Sequence, residues 1–187
     1  MDEAWRERRR ATAERIERLR RQGVCYSCHQ LRTRQVFPDQ ALIWEAPLFQ
    51  FVLEQYPRMR GHSILIWKAH RRDFSELLPE ELGPCMGACR AAAAALSAAL
   101  GADRVYLNTM CDGELNHLHF QLFPRYAGER MGSSRFVLPR QPAEHAIEDA
   151  AAIRAAFGRI WQEETGAGGP QADPSERPGV AGSDVSS

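Results

Sequence analysis

The densest chemistry in the sequence lies in Asn116-His117-Leu118-His119-Phe120-Gln121-Leu122-Phe123-Pro124-Arg125. On a β-strand successive side chains point to opposite faces. His117, His119 and Gln121 therefore share one face, and Leu118, Phe120 and Leu122 pack the other. A neutral imidazole is a good nucleophile near neutral pH, because its unperturbed pKa lies just below 7. Alternation alone also allows a merely solvated outer face. A second set joins Cys25 and Cys28, a C-x-x-C, to His70 and His117. Two thiolates and two imidazoles make a closed tetrahedral set that suits Zn²⁺. The sequence separations are too long for a compact zinc finger, so the fold must gather the four. A C-x-x-C alone is equally a redox pair or two unrelated buried thiols. Cys25-Tyr26-Ser27-Cys28-His29 also matches the haem c attachment pattern. That attachment needs an export context, which the charged N-terminus does not suggest; His29 reads as a polar loop residue.

These residues need elements to carry them. Residues 2–22 read as one charged helix with a thin apolar line through Trp5, Ile16 and Leu19, ended by Gly23. β-type runs follow at Gln35-Val36-Phe37, Ala41 to Trp44 and Leu48 to Leu53, punctuated by Pro38-Asp39 and Ala46-Pro47. Ser63-Ile64-Leu65-Ile66-Trp67 is a strongly apolar strand. Asp73-Phe74-Ser75-Glu76 reads as a helix N-terminus, and Pro79 fits the first turn of a longer helix that runs through the alanines at 91–95 to Gly101. Strands are expected at Arg104–Thr109 and His117–Phe123, and a last helix at roughly 143–163. Strands and helices are grouped rather than alternating, which points to an antiparallel α+β domain. The organisation is thus a charged N-terminal helix (1–22), one folded domain (23–165) and a Gly/Pro/Ala/Ser tail (166–187) too poor in apolar side chains to fold.

Composition excludes several classes. The 187 residues carry 24 basic and 24 acidic side chains, so net charge argues for neither nucleic acid nor an anionic membrane as partner. The first helix is arginine-rich, which leaves a nucleic-acid arm open. Its interspersed Glu7, Glu14 and Glu17 favour a solvated, salt-bridged face. Five unevenly spaced cysteines do not form a secreted disulfide framework. No stretch approaches ~18 uninterrupted apolar residues, so no membrane span is expected. With no signal peptide in view, the expected location is the cytoplasm, whose reducing poise favours metal binding or free thiols.

The triad strand resembles the motif of the histidine-triad superfamily, His-φ-His-φ-His-φ-φ, with Gln121 in the third histidine position. Phe51 to His70 resembles the family's other signature: a strand, a Pro-containing loop, Gly61-His62, an aliphatic strand and Lys68-Ala69-His70, in the same order and spacing. Phe123-Pro124-Arg125 resembles the Ile-Pro-Arg that often follows the triad. The match covers about residues 25–126. It implies an α+β fold with an antiparallel sheet of about five strands and two main helices; the first and last helices here lie outside it. It implies that His119 is the nucleophile on the α-phosphorus of a nucleotide, giving a nucleotidyl-histidine intermediate. It implies structural zinc on Cys25, Cys28, His70 and His117, as in zinc-containing relatives, with His117 orienting the catalytic strand. Glu54 stands where the family has an Asp for the ribose hydroxyls, and Asn108 resembles an Asn near the phosphates. His62 reads as a structural residue behind the loop and His145 as a surface residue. Trp44 and Phe49 are expected in the pocket walls. A homodimer through strand extension is the expected assembly.

Gln121 departs from the hydrolase pattern. A glutamine amide can donate to a phosphate oxygen as neutral histidine can, but cannot carry a proton. His-x-His-x-Gln resembles the uridylyltransferases of galactose metabolism and the dinucleoside polyphosphate phosphorylases, which favours transfer or phosphorolysis. Hydrolysis of dinucleoside polyphosphates or phosphoramidates, nucleotide binding without turnover, and a zinc-dependent structural partner protein are the alternatives.

Overall fold

The computed structural model describes residues 2–111 and 115–166; the expected tail, from residue 167 on, lies outside them. Elements follow in the order α1 (Glu3–Arg21), α2 (Tyr26–Thr33), β1 (Leu42–Glu45), β2 (Phe49–Leu53), β3 (Ser63–Trp67), a 3₁₀ turn (Phe74–Glu76), α3 (Pro79–Leu100), β4 (Arg104–Asn108), β5 (His119–Arg125), a second 3₁₀ turn (Ser133–Val137) and α4 (Ala146–Thr165). The strands form one antiparallel sheet, in the order β1-β2-β3-β5-β4.

α3 and α4 pack on one face of the sheet. Their contact positions are small: Ala88, Ala91, Ala92 and Ala95 on α3, Ala150 and Ala156 on α4, all buried. Small residues let the helices sit close, and the gaps are filled from the sheet by Phe49, Phe51, Leu65, Trp67, Phe120 and Leu122. Phe157 holds the centre of an aromatic cluster, 5.3 Å from Trp44, 5.4 Å from Phe51 and 5.7 Å from Trp161. A Cβ at Gly158 would stand 3.0 Å from the Trp44 ring, so glycine there permits this approach.

The other sheet face is covered by α1 and α2. On α1, Asp2 caps the helix by accepting from the Trp5 N–H at 2.7 Å. Trp5, Thr12 and Leu19 are buried, and the outer face carries the pairs Arg10–Glu7 and Arg20–Glu17. α2 is a helix where the sequence pattern suggests a loop: Cys25 is its N-cap, and the Cys25 sulfur accepts from the Cys28 N–H at 3.5 Å.

Three further expectations need correction. Gln35-Val36-Phe37 forms no strand, because the Gln30 amide oxygen accepts from both the Val36 and Phe37 N–H groups, at 2.9 and 3.0 Å. Asp73–Glu76 forms a single 3₁₀ turn before Pro79 opens α3. The triad strand begins at His119, so His117 and Leu118 precede it, although the Leu118 carbonyl still accepts from the Trp67 N–H at 3.2 Å. No described helix is long and apolar enough to cross a membrane.

Candidate functional site

Register sets the site. β5 lies between β3 and β4, with His119 opposite Ile66 and Gln121 opposite Ile64 and Asn108. Leu118, Phe120 and Leu122 turn into the helix-side core, which leaves His119 and Gln121 facing α1 and α2. Between them lies a cavity of about 270 Å³. Ile64, Ile66, His119 and Gln121 form its floor, Tyr26, Ser27 and Gln30 of α2 one wall, and Arg9, Thr12, Ala13 and Ile16 of α1 another.

The hydrogen bonds fix which atoms face this cavity. His119 Nδ1 lies 2.8 Å from the His117 carbonyl oxygen. A carbonyl only accepts, so Nδ1 carries the proton and the Nε2 lone pair is free. The Gln121 side chain is set by His62. The His62 Nδ1 accepts from the Arg58 N–H at 3.2 Å, so its Nε2 holds the proton and donates to Gln121 Oε1 at 3.2 Å. The Gln121 amide oxygen is thus engaged by the buried His62, and its NH₂ is the group left to donate toward a ligand. Burial, then the Arg140 charge, hold the His62 pKa down to about 3, so it stays neutral in this role. Gly61 makes the turn possible: its φ of +71° is left-handed, and a Cβ there would lie 2.5 Å from Leu100 Cδ1. His62 was expected to be structural; it is fully buried and stacked on Phe123 at 4.3 Å. Its grip on Gln121 left no trace in the sequence pattern.

Glu54 lines the same cavity. Its Oε1 accepts from the Tyr56 N–H at 2.9 Å, and its Oε2 pairs with Arg140 Nη1 at 3.1 Å. Arg140, which the sequence did not single out, also donates to the Tyr56 carbonyl at 2.6 Å. Asn108 stands across from Gln121 at the end of β4 but is not among the residues lining the cavity. Trp44 and Phe49 are not pocket walls. Both are buried on the opposite face, against Phe157 and Trp161; a register shift between Leu42 and Trp44 turns Trp44 inward. His145 is exposed at the start of α4.

The second cluster lies beside the cavity. One ligand atom each from Cys25, Cys28, His70 and His117 fall within 4.8 Å of one another. Cys28 Sγ is 3.2 Å from His70 Nδ1 and 3.3 Å from His117 Nδ1, and Cys25 Sγ is 3.6 Å from His117 Nδ1. His117 Nε2 donates to the Trp67 carbonyl at 2.6 Å, which directs Nδ1 at the sulfurs. Burial holds the His117 pKa down, keeping the imidazole neutral as a ligand must be. Burial and the neighbouring Cys25 push the Cys28 thiol up to about 11; a cation among the four would reverse that preference. The four could hold a metal ion.

Comparison with known proteins agrees with this geometry. The HIT domain family model matches residues 36–128. No curated protein matches the chain. Among solved structures, a Zn-bound histidine triad family protein from Mycobacterium smegmatis is similar at 23% identity and TM-score 0.59, over 75% of this chain and 97% of its own. A Hit-like protein involved in cell-cycle regulation from Bartonella henselae is similar at 26% identity and TM-score 0.53, over 63% of this chain and 86% of its own. A hypothetical histidine triad nucleotide-binding protein from Sulfolobus tokodaii strain7 shares 19% identity at TM-score 0.61, over 75% of this chain and 96% of its own. A five-stranded antiparallel sheet that sets His119 and Gln121 over one cavity, in a segment matched by the HIT domain, leads to one conclusion: residues 36–128 are a histidine-triad (HIT) domain.

Proposed function

We propose that this chain is a nucleotidyltransferase or nucleotide phosphorylase that works through a nucleotidyl-histidine at His119. The observation that carries this reading is the tautomer of His119, whose Nδ1–H is spent on the His117 carbonyl so that Nε2 offers its lone pair to the cavity. In the first step Nε2 forms a bond to the α-phosphorus while the bond to the leaving-group oxygen breaks, and the electron pair departs with that oxygen. The Gln121 NH₂ donates to a phosphoryl oxygen as charge builds there. Glu54, with lone pairs beyond those used by Tyr56 and Arg140, accepts from ribose hydroxyls; Asn108, opposite Gln121 on β4 but outside the cavity lining, would reach a phosphate only from the cavity's edge.

The leaving group follows from what the cavity lacks. Among the described residues lining it, His119 is the one imidazole, and His62 behind Gln121 is held neutral. An amine leaving group needs a proton at departure; a phosphate does not. The site therefore suits phosphoanhydrides over phosphoramidates. The same logic favours an acceptor that is already an anion, a phosphate oxygen, which can attack the phosphorus and release His119 without a general base. Water would need one.

The metal fits zinc by donor chemistry: three of the sulfur–nitrogen separations, 3.2, 3.3 and 3.6 Å, are close to the ~3.3–3.8 Å edges of a Zn²⁺ tetrahedron, and all four ligand atoms lie within 4.8 Å of one another. When bound, zinc supplies structure, since four protein ligands leave no position for water. A zinc-bound protein of the same fold supports the assignment. Because Cys25 caps α2, and Tyr26, Ser27 and Gln30 of α2 line the cavity, the metal would also position the substrate wall. A homodimer through the β4 edge, where Leu107 stays 45% exposed, is the proposed assembly.

The test is product analysis with dinucleoside polyphosphates and nucleotide sugars, with and without inorganic phosphate. Phosphate-dependent product is expected. Equal turnover in water alone would replace transfer by hydrolysis, and stoichiometric binding without product would leave a nucleotide-binding protein.

A further inference from the structure

The cavity above His119 is not built by the HIT domain alone. The family match begins at residue 36, whereas α1 spans Glu3–Arg21. Yet Arg9, Thr12, Ala13 and Ile16 line the cavity, at the i, i+3, i+4, i+7 spacing of one helical face. That face is fixed in place. Thr12 Oγ1 lies 2.9 Å from the Tyr56 hydroxyl in a buried contact, Trp5 meets the Tyr56 ring edge-on at 5.8 Å, and Arg15 donates to the Val36 carbonyl at 2.9 Å. α1 is a wall of the site.

This wall brings charge. Arg9 and Arg140 line the cavity with Glu54 as the one carboxylate, and Arg58 lies close enough to feel Glu54, Arg140 and Arg9. Among the lining residues, two guanidiniums against one carboxylate leave one positive charge in excess, and Arg58 adds to the field from outside the lining. Glu54 is matched by Arg140 at 3.1 Å. Among the described residues Arg9 has no carboxylate partner; its contact is the Trp5 ring, 5.7 Å from its Cζ to the centroid. A cationic end in a partly enclosed cavity concentrates anions, and the guanidinium fork matches phosphate oxygens. Nothing in the attack by His119 uses these charges.

We infer that the substrate carries a second phosphoryl group, besides the one His119 attacks, and that Arg9 and Arg140 bind it at the α1 end of the cavity. This rests on the nucleotide reading given above. The second group has two chemical sources: the next phosphate of a 5′-polyphosphate chain, or a phosphate on the ribose 2′- or 3′-oxygen beside Glu54.

Calorimetric titration of the full chain separates them. The ligands are adenosine and uridine 5′-monophosphates, the matching 5′-diphosphates, and the matching 2′,5′- and 3′,5′-bisphosphates, at two salt concentrations. Wild type is compared with Arg9→Gln and Arg9→Lys, both at an exposed position. At least one doubly phosphorylated ligand should bind about tenfold or more tightly than its monophosphate, with the advantage shrinking as salt rises. Arg9→Gln should erase most of that ratio, and Arg9→Lys should keep part of it. The ligand that shows the advantage names the source. Equal binding of mono- and doubly phosphorylated ligands to wild type, or a ratio untouched by Arg9→Gln, overturns the inference while the nucleotide reading stands. If no nucleotide binds at all, the nucleotide reading falls and takes this one with it.

Discussion

His117 and His119 sit two residues apart and serve different regions. His117 precedes β5, is buried, and turns its Nδ1 toward two sulfurs. His119 opens β5 and turns its Nε2 into the cavity. The Cys/His cluster is assembled from three separate stretches of chain, around Cys25–Cys28, His70 and His117, so its integrity depends on tertiary structure and a bound metal would contribute to it. The cavity floor is held by backbone register between β3 and β5, which does not depend on any one side chain there. If the proposed roles hold, one short segment divides structural from chemical work by where the strand begins. Substitutions in the two regions should therefore fail differently.

The largest effect is expected at the cluster. Cys28→Ala, or chelation of the purified protein, should lower the thermal midpoint strongly, by several kcal/mol of stability, because metal binding contributes directly to folding. Melting curves with and without chelator check this. An unchanged midpoint in a protein that carries no metal would break the division. Next, Gln121→Glu puts a carboxylate where an amide should donate to phosphate. Turnover should fall by about 10²–10³-fold with the midpoint little changed. Gln121→His should raise hydrolysis relative to transfer, since an imidazole can carry the proton an amide cannot; an unchanged product ratio removes that reason for preferring transfer.

A smaller effect is expected at His62. His62→Phe leaves the stack on Phe123 but frees Gln121 Oε1, and turnover should drop about tenfold, the worth of one buried hydrogen bond. The same variant carries a pH signature. The folded pKa is about 3 against an ordinary 6.5. Below pH 6.5 the unfolded chain binds a proton that the folded chain refuses. This group's contribution is therefore complete above 6.5 and declines as pH falls toward 3, by up to about 1.4 kcal/mol per pH unit. Denaturant titrations across that window should show a shallower slope in His62→Phe than in wild type.

Much of this was legible in the sequence. The apolar run Ser63–Trp67 is β3 to the residue, and the alternation of Leu118, Phe120 and Leu122 against His119 and Gln121 holds because the apolar set has a core to enter. What failed has local causes. α2 was invisible because an eight-residue polar helix has no apolar period and is capped by a cysteine that also belongs to a distant cluster. Val36 and Phe37 have strand propensity, but the Gln30 side chain takes their N–H groups first. Trp44 was misplaced because a bulge breaks the period of two. Arg9 and Arg140 reach the cavity from segments with no sequence link to the triad, so only the folded chain reveals them.

The measurement that bears most directly on His119 is intact-protein mass spectrometry after brief incubation with dinucleoside polyphosphates and nucleotide sugars. The account predicts a mass gain of one nucleotidyl group, absent in His119→Ala, which keeps its fold, and discharged when phosphate is added. An adduct that persists in His119→Ala, or turnover of that variant at the wild-type rate, would contradict it.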